Sequence, residues 1–303
     1  MNKVNDSSVV KRQYATENNL STRISIHDKY STNKIGFGNW IVSNYRIEKG
    51  AKVLEIGCGI GDMWKNRESL IGDCSKLVLS DFSEGMLAAA ENNIGHYDNM
   101  EYKIIDIQEI PYEDETFDVV IANMMLYHVP DIDKGLAEVR RVLKKEGHFY
   151  CATYGENGII GFLSKIFSVY GVEDSMNKNF TLQNGTGILS KFFSKIEKLE
   201  YIDSLAVTDL DDMVKYIYSL SSMTLLNSIP KQEIKNILMN NATNGILNIP
   251  KEYGMFISSL STHANPKSPW HFIEFRIHSV KTSPILNTFS SSNKLSLGQI
   301  IIP

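Results

Sequence analysis

Glu55, Gly57, Gly59 and Gly61 crowd into VLEIGCGIGDMW (53–64), and two further carboxylates, Asp81 and Asp106, end the next two apolar runs. Glycines this dense let a backbone approach a ligand closely, because no side chain intervenes and unusual dihedrals cost little. A loop of this kind after a strand holds a nucleoside triphosphate, a dinucleotide, or a ligand without phosphate. The triphosphate reading needs GxxxxGK followed by Ser or Thr. Lys65 follows Trp64, so that reading fails. The dinucleotide reading needs GxGxxG. Gly57 and Gly59 fit, but the third glycine comes one residue early, at Gly61, and Asp62 stands in its place. A carboxylate near a helix start would compete with a pyrophosphate for the same positive end. With Glu55 as a second acid beside the loop, the pattern suits a cationic ligand that lacks phosphate.

S-adenosylmethionine has that chemistry, with an ammonium, a sulfonium and no phosphate. Asp81, 24 residues beyond Gly57, is placed to accept both ribose hydroxyls, a feature shared with dinucleotide folds. Asp106 is placed to take the adenine amino group, and the backbone N–H of Ile107 to meet a ring nitrogen. All of these positions end apolar runs, and open α/β sheets bind ligands at the carboxyl ends of their strands.

The elements that must position these residues are legible as alternating strands and helices. Strand-like runs are KVLEIGC (52–58), KLVLSD (76–81), MEYKIID (100–106), FDVVIAN (117–123) and GHFYCATY (147–154). Between them, SEGMLAAAENN (83–93) opens on Ser83 as an N-cap, and DIDKGLAEVRRVLKKEG (131–147) has helical spacing, an acidic start, a basic end and a terminal glycine. Alternation of this kind predicts a parallel, doubly wound α/β sheet. Further on, KIEKLEYID (195–203) is a candidate strand. Residues 209–262 hold three helix-like segments, the last of them PKEYGMFISSL, and WHFIEFRIHSV (270–280) alternates like a final strand.

VLEIGCGIG, LSDFSEGML, IIDIQEIPYEDETFDVVIANMMLYHV and EVRRVLKKEGHFY together resemble the class I S-adenosylmethionine-dependent methyltransferases. The resemblance covers roughly residues 50–155 and points to the small-molecule, methyltransferase type 11 group, which includes ubiquinone- and menaquinone-biosynthesis-like enzymes. It implies a Rossmann-like, mostly parallel seven-stranded sheet with an N-terminal helical cap and a helical insertion before the last strand. The implied organisation is an arm and cap over 1–45, a cofactor-binding domain over 46–208, a helical lid over 209–265, a final strand over 266–282 and a tail over 283–303. It also implies methyl transfer to a small-molecule acceptor, with S-adenosyl-L-methionine as donor and S-adenosyl-L-homocysteine as product. Glu55, Gly57, Cys58, Gly59 and Gly61 would line the methionine part, and Asp81 the ribose. Phe82, Met86, Asp106 and Ile107 would serve the adenosine. Asn123, Met124 and His128 would follow strand four beside the cofactor, with Tyr30 reaching in from the cap. His128 is also the candidate general base, needed only if the acceptor atom is a hydroxyl or thiol. Tyr30, Trp40, Trp64, Tyr127 and Tyr154 are the candidate walls of the acceptor pocket.

Bulk properties restrict the rivals. A formal charge of −4 offers no basic footprint for nucleic acid, so no nucleic-acid partner is expected. No NPPY-like tetrapeptide follows strand four, where the chain reads NMML, so methylation of RNA or protein is the weaker alternative. A non-catalytic S-adenosylmethionine-binding protein is the other. The three cysteines lack metal or disulfide spacing, and the seven histidines form no HxxxH pair, so no metal is expected. No apolar run approaches the length of a membrane helix and the first residues lack a signal-peptide core. A cytoplasmic protein with no membrane partner is the expectation, and oligomeric state is left open.

Overall fold

The computed structural model describes residues 17–260, apart from residue 175. Five strands run parallel: β1 (Lys52–Ile56), β2 (Lys76–Asp81), β3 (Met100–Ile104), β4 (Phe117–Ile121) and β5 (Leu143–Tyr154). β6 (Lys195–Val207) and β7 (Leu247–Ser259) complete a seven-stranded sheet of order β3-β2-β1-β4-β5-β7-β6, with β7 antiparallel to both neighbours. The inner strands read as continuous apolar runs because helices cover both faces. Val53 and Leu54, like Leu77 and Val78, are fully buried on opposite sides of the sheet. Strand order reverses beside β1, which opens a crevice at the carboxyl ends of β1 and β4.

The helices are α1 (Glu17–Tyr30), α2 (Phe37–Ser43), α3 (Glu68–Asp73), α4 (Glu84–Ile94), α5 (Ile132–Val142), α6 (Ile159–Ile166), α7 (Gly185–Leu189), α8 (Leu210–Ser219) and α9 (Lys231–Asn240). Ser83 caps α4 by accepting from the Met86 amide, and Asp131 caps α5 by accepting from Lys134. α5 stops at Val142, five residues short of the glycine expected to end it. Leu143 turns extended there (φ −82°, ψ 131°), pairs with Phe117 and is buried in the core. Placing that leucine inward outweighs continuing a helix through Lys-Lys-Glu.

The last strand departs from expectation. PKEYGMFISSL, read as helical, lies in β7, inside the expected 209–265 insertion, while WHFIEFRIHSV falls outside the described residues. From Gly254 to Ser258 β7 shows no polar alternation because both of its faces are covered: Met255 and Ile257 enter one core and Phe256 the other. Gly254 permits the close pairing, since a Cβ there would stand 2.3 Å from the Leu199 carbonyl oxygen. Pro250 is tolerated because its partner Ser204 turns its own N–H and C=O away from β7, toward Thr32. The pair makes no ladder bonds, so the missing N–H costs nothing.

β5 ends at Tyr154, opposite Tyr253. β7 residues 247–252 pair with β6 alone, so these two strands continue past the carboxyl edge of the sheet as a ribbon. The ribbon carries α8 and α9, and α1 packs onto α8 and β6. Together they enclose a second core that includes Ile26, Leu163, Leu205, Met213, Ile217 and Ile234. The connection after α1 is stitched to the ribbon by a Ser31–Leu205 bridge and by the Thr32 amide donating to the Ser204 carbonyl at 2.9 Å. Beneath it, Lys251 pairs with Asp203; their side chains are 5% and 0% exposed. Among the described residues, no helix is long and apolar enough to cross a membrane.

Candidate functional site

The glycine loop turns directly out of β1, with Gly57, Gly59 and Gly61 all at positive φ (73°, 56° and 80°). Two of the three are packed. A Cβ at Gly57 would meet Met125 Cγ at 2.8 Å, and one at Gly61 would meet Ile94 Cδ1 at 2.5 Å. Gly59 differs, because nothing stands within 4 Å of its Cβ position. Its amide donates to Asp81 Oδ2 at 3.0 Å, while Oδ1 accepts from the Ser83 amide at 2.8 Å. Asp81 thus ties the open side of the loop to the end of β2. Cys58 is a packing residue. Its amide bonds the Ser80 carbonyl, and burial, with Glu55 and Asp81 nearby, holds its thiol far above the usual range. Asp62 sits in a turn rather than at a helix start, since α3 begins only at Glu68.

Glu55 lies behind the loop, buried, with Trp64 Nε1 donating to Oε2 at 2.6 Å. Burial pushes its carboxyl up to about 7; the Asp81 charge adds to this, and hydrogen bonds from Trp64 and Asn123 oppose it. Asn123 also donates from Nδ2 to Tyr45 Oη at 2.6 Å and accepts the Ala152 amide on Oδ1 at 3.1 Å. Its amide therefore cross-links β1, β4 and β5 from within. Trp64, expected in the pocket wall, is fully buried and serves Glu55 instead. A tryptophan next to a glycine loop reads equally as wall or core, and the carboxylate behind the loop decides for core.

At the ends of β2 and β3 two apolar side chains stand open, Phe82 at 47% and Ile104 at 53% exposure. Ile104 pairs with Asp81 across the strands, and sequence reasoning missed it. The signal was available: of adjacent isoleucines, Ile105 points into the core, so Ile104 must point out. Asp106 follows in a turn, where its carboxylate accepts the Gln108 amide at 2.9 Å and the Gln108 side chain. The Ile107 side chain is in the core, which leaves only its backbone for a ligand. Met86 is half-buried in the first turn of α4.

Beyond β4, Met124 takes φ 54° and donates its amide to the Ala152 carbonyl. A non-glycine residue in that region marks a constrained turn. It feeds a 3₁₀ turn, Leu126–His128, that brings the Tyr127 ring within 4.5 Å of both the His128 and Tyr154 rings. Burial lowers the His128 pKa, so the ring is neutral at neutral pH. Tyr154 Oη donates to the Asn177 carbonyl, and Asn177 returns a bond to the Tyr127 carbonyl.

Two cap residues stand elsewhere than expected. Tyr30 is buried in the second core with its hydroxyl on Asp212 at 2.9 Å, away from the glycine loop. Trp40 on α2 stacks on Phe37 (5.8 Å) and packs against Tyr201 of β6 (5.3 Å). The expected site therefore gathers as two groups at one sheet edge: the loop with Asp81, Phe82 and Asp106, and the Tyr127–His128–Tyr154 cluster.

Comparison with known proteins bears on the fold and the family. Residues 54–151 match a family model described as a methyltransferase domain. The chain is 34% identical over 127 residues to the ubiquinone/menaquinone biosynthesis C-methyltransferase UbiE of Escherichia coli, covering 41% of this chain and 50% of that protein. The chain thus spans about half the length of the curated relatives it matches. Among solved structures, a Haemonchus contortus phosphoethanolamine N-methyltransferase 2, in complex with phosphomonomethylethanolamine and S-adenosylhomocysteine, shares the fold. Its TM-score is 0.53 at 19% identity, covering 84% of this chain and 59% of that one. A Bacillus halodurans chain shares it at TM-score 0.52 and 16% identity, covering 74% and 99%. On its fold, its motifs and these matches, the segment from Leu54 to Cys151 is a methyltransferase domain of the class I S-adenosylmethionine-dependent family.

Proposed function

We propose that the chain transfers a methyl group from S-adenosylmethionine to a small molecule seated beneath the helical cap. The observation that carries this reading is the division of the glycine loop. Gly57 and Gly61 are closed by side chains, whereas Gly59 faces open space beside Asp81. The groups around that space fit the donor. Asp81 can accept ribose hydroxyls, Phe82 and Ile104 offer apolar faces for adenine, and Glu55 and Asp81 supply negative charge without a phosphate cradle. S-adenosylmethionine brings an activated methyl on a sulfonium, so transfer is an in-line displacement that leaves S-adenosylhomocysteine. The protein's contribution is orientation, which can lower such a barrier by several kcal/mol. Tyr127 and Tyr154 wall the side toward the acceptor. His128, neutral beside them, is the group to take a proton if the acceptor atom is a hydroxyl or thiol. The likeness to a C-methyltransferase reaches only the donor half, so the acceptor atom is not carried over from it. A cap with its own core favours an enclosed small molecule over a nucleic acid or protein surface.

Calorimetry is expected to give S-adenosylmethionine binding on the order of micromolar, with no comparable binding of NAD. Release of S-adenosylhomocysteine across a broad acceptor panel then tests turnover. Binding without release from any acceptor would favour a non-catalytic sensor of the same ligand. A preference for NAD would defeat the reading of the loop.

Binding should also displace a proton. A cation beside Glu55 lowers its pKa from about 7 toward the ordinary carboxylate range. Near pH 7 roughly half a proton should leave per molecule bound, and affinity should rise with pH through that region. Heats measured in two buffers of different ionisation enthalpy will reveal it. Glu55→Gln should abolish the difference, and equal heats for the unmodified protein would refute the coupling.

A further inference from the structure

His27 sits where the three elements of the cap meet. From α1 its ring contacts Tyr216 of α8 edge-on at 6.4 Å and Tyr253 of β7 edge-on at 6.3 Å. The Tyr253 ring also packs on Phe37, at 5.2 Å, in front of Trp40. Tyr253 is the strand partner of Tyr154, whose ring touches Tyr127 beside His128. The two aromatic groups are thus joined through the backbone pairing of β5 and β7 at Tyr154 and Tyr253.

The charged groups of this junction are matched. Lys251 lies 5.5 Å over the Tyr253 ring, but it pairs with Asp203 and donates to Ser31 Oγ at 2.7 Å. Asp203 is further satisfied by the Asn33 and Ser204 amides. On α8, Asp212 is engaged by Lys29, Tyr30 and Lys215. His27 Nδ1 is buried and has no hydrogen-bond partner among the described residues. Leaving such a group unpaired is unfavourable, because it loses its hydration with no bond in return. Buried polar atoms are rarely unpaired, and each exception calls for an explanation, of which a bound molecule is one. Burial, with Lys251 adding to it and Asp203 opposing, holds the His27 pKa down at about 4, so the ring is uncharged at neutral pH.

We propose that His27 positions the methyl acceptor, its imidazole hydrogen-bonding an uncharged hydroxyl or amide group of a molecule seated against Tyr253 and Phe37. The inference rests on the methyl-transfer reading and adds to it the residue that selects the acceptor. A carboxylate or ammonium is disfavoured in this seat, because the nearby Lys251 and Asp203 charges already cancel and none is left to pair with it.

The test uses the full chain labelled with ¹⁵N-histidine and three probes of similar size: 4-methylphenol, benzoate and benzylamine. His27 signals are identified by their absence in His27→Gln. 4-Methylphenol should shift the His27 ring signals, with benzoate and benzylamine at least about tenfold weaker, a gap of about 1.4 kcal/mol. His27→Ala should weaken 4-methylphenol by about tenfold, and His27→Gln, which keeps a hydrogen-bonding group, should recover most of that loss. S-adenosylmethionine affinity should stay within about twofold in both variants, which also shows that they fold. The proposal is overturned if a charged probe matches 4-methylphenol, if 4-methylphenol leaves His27 unshifted, or if His27→Ala binds it normally. Failure of the unmodified chain to bind S-adenosylmethionine would instead strike the methyl-transfer reading.

Discussion

Asp203→Ala should cost about 3–5 kcal/mol of folding stability, because it strands a buried ammonium without a counter-charge. Lys251 has a side chain only 5% exposed, and its pairing partner is sealed completely. Asp203 also accepts the Asn33 and Ser204 amides, so the substitution loosens the join between α1 and the ribbon. Removing both charges together, as Asp203→Leu with Lys251→Met, should recover most of the loss, since an apolar pair of similar size carries no desolvation penalty. Denaturant midpoints at matched m-values measure both effects. A loss below about 1 kcal/mol for Asp203→Ala would mean that water reaches the pair, and would refute its sealed character.

Asp81→Ala should weaken S-adenosylmethionine by about a hundredfold or more, from the loss of two charge-assisted hydrogen bonds at roughly 1.5–3 kcal/mol each, partly offset by lower desolvation. The same carboxylate holds the Gly59 and Ser83 amides, so part of the effect is a slackened loop. Asp81→Asn grades the two contributions. It keeps one of the two loop bonds, turns an NH2 toward the other amide and removes the charge, so it should cost about tenfold in affinity, less than Asp81→Ala, with a smaller fall in thermal midpoint. Unaltered binding in Asp81→Ala would remove Asp81 from the site.

The donor half of the molecule was legible because its signals are local. A strand, a glycine loop, a capped helix and an acid at a strand end each occupy fewer than about fifteen residues, and period and capping report them directly. Ser83 and Asp131 cap where their residue types suggest. The cap was less legible because its order is set by long-range pairing. The second part of β7 is covered on both faces, so its sequence loses the period that identifies a strand, and Pro250 reads as a helix start rather than as a fitted strand residue. Trp64 and Tyr30 were misplaced for a related reason. An aromatic residue with a polar tip suits a pocket wall and a buried hydrogen bond equally, and only the fold reveals the partner, Glu55 for one and Asp212 for the other. His27 lacked any local motif, and its neighbours Tyr216 and Tyr253 lie almost two hundred residues or more away.

The ribbon of β6 and β7 leaves and re-enters the sheet at Tyr201 and Tyr253, which are direct cross-strand partners. A segment whose two ends are neighbours can change length or be exchanged without altering the register of the strands that hold it. Residues 202–252 thus form a cassette on a two-residue footing, and much of its interior is a core separate from that of the sheet. On the proposed reading, divergence can rewrite the cassette, and with it the choice of acceptor, without disturbing the sheet beneath it.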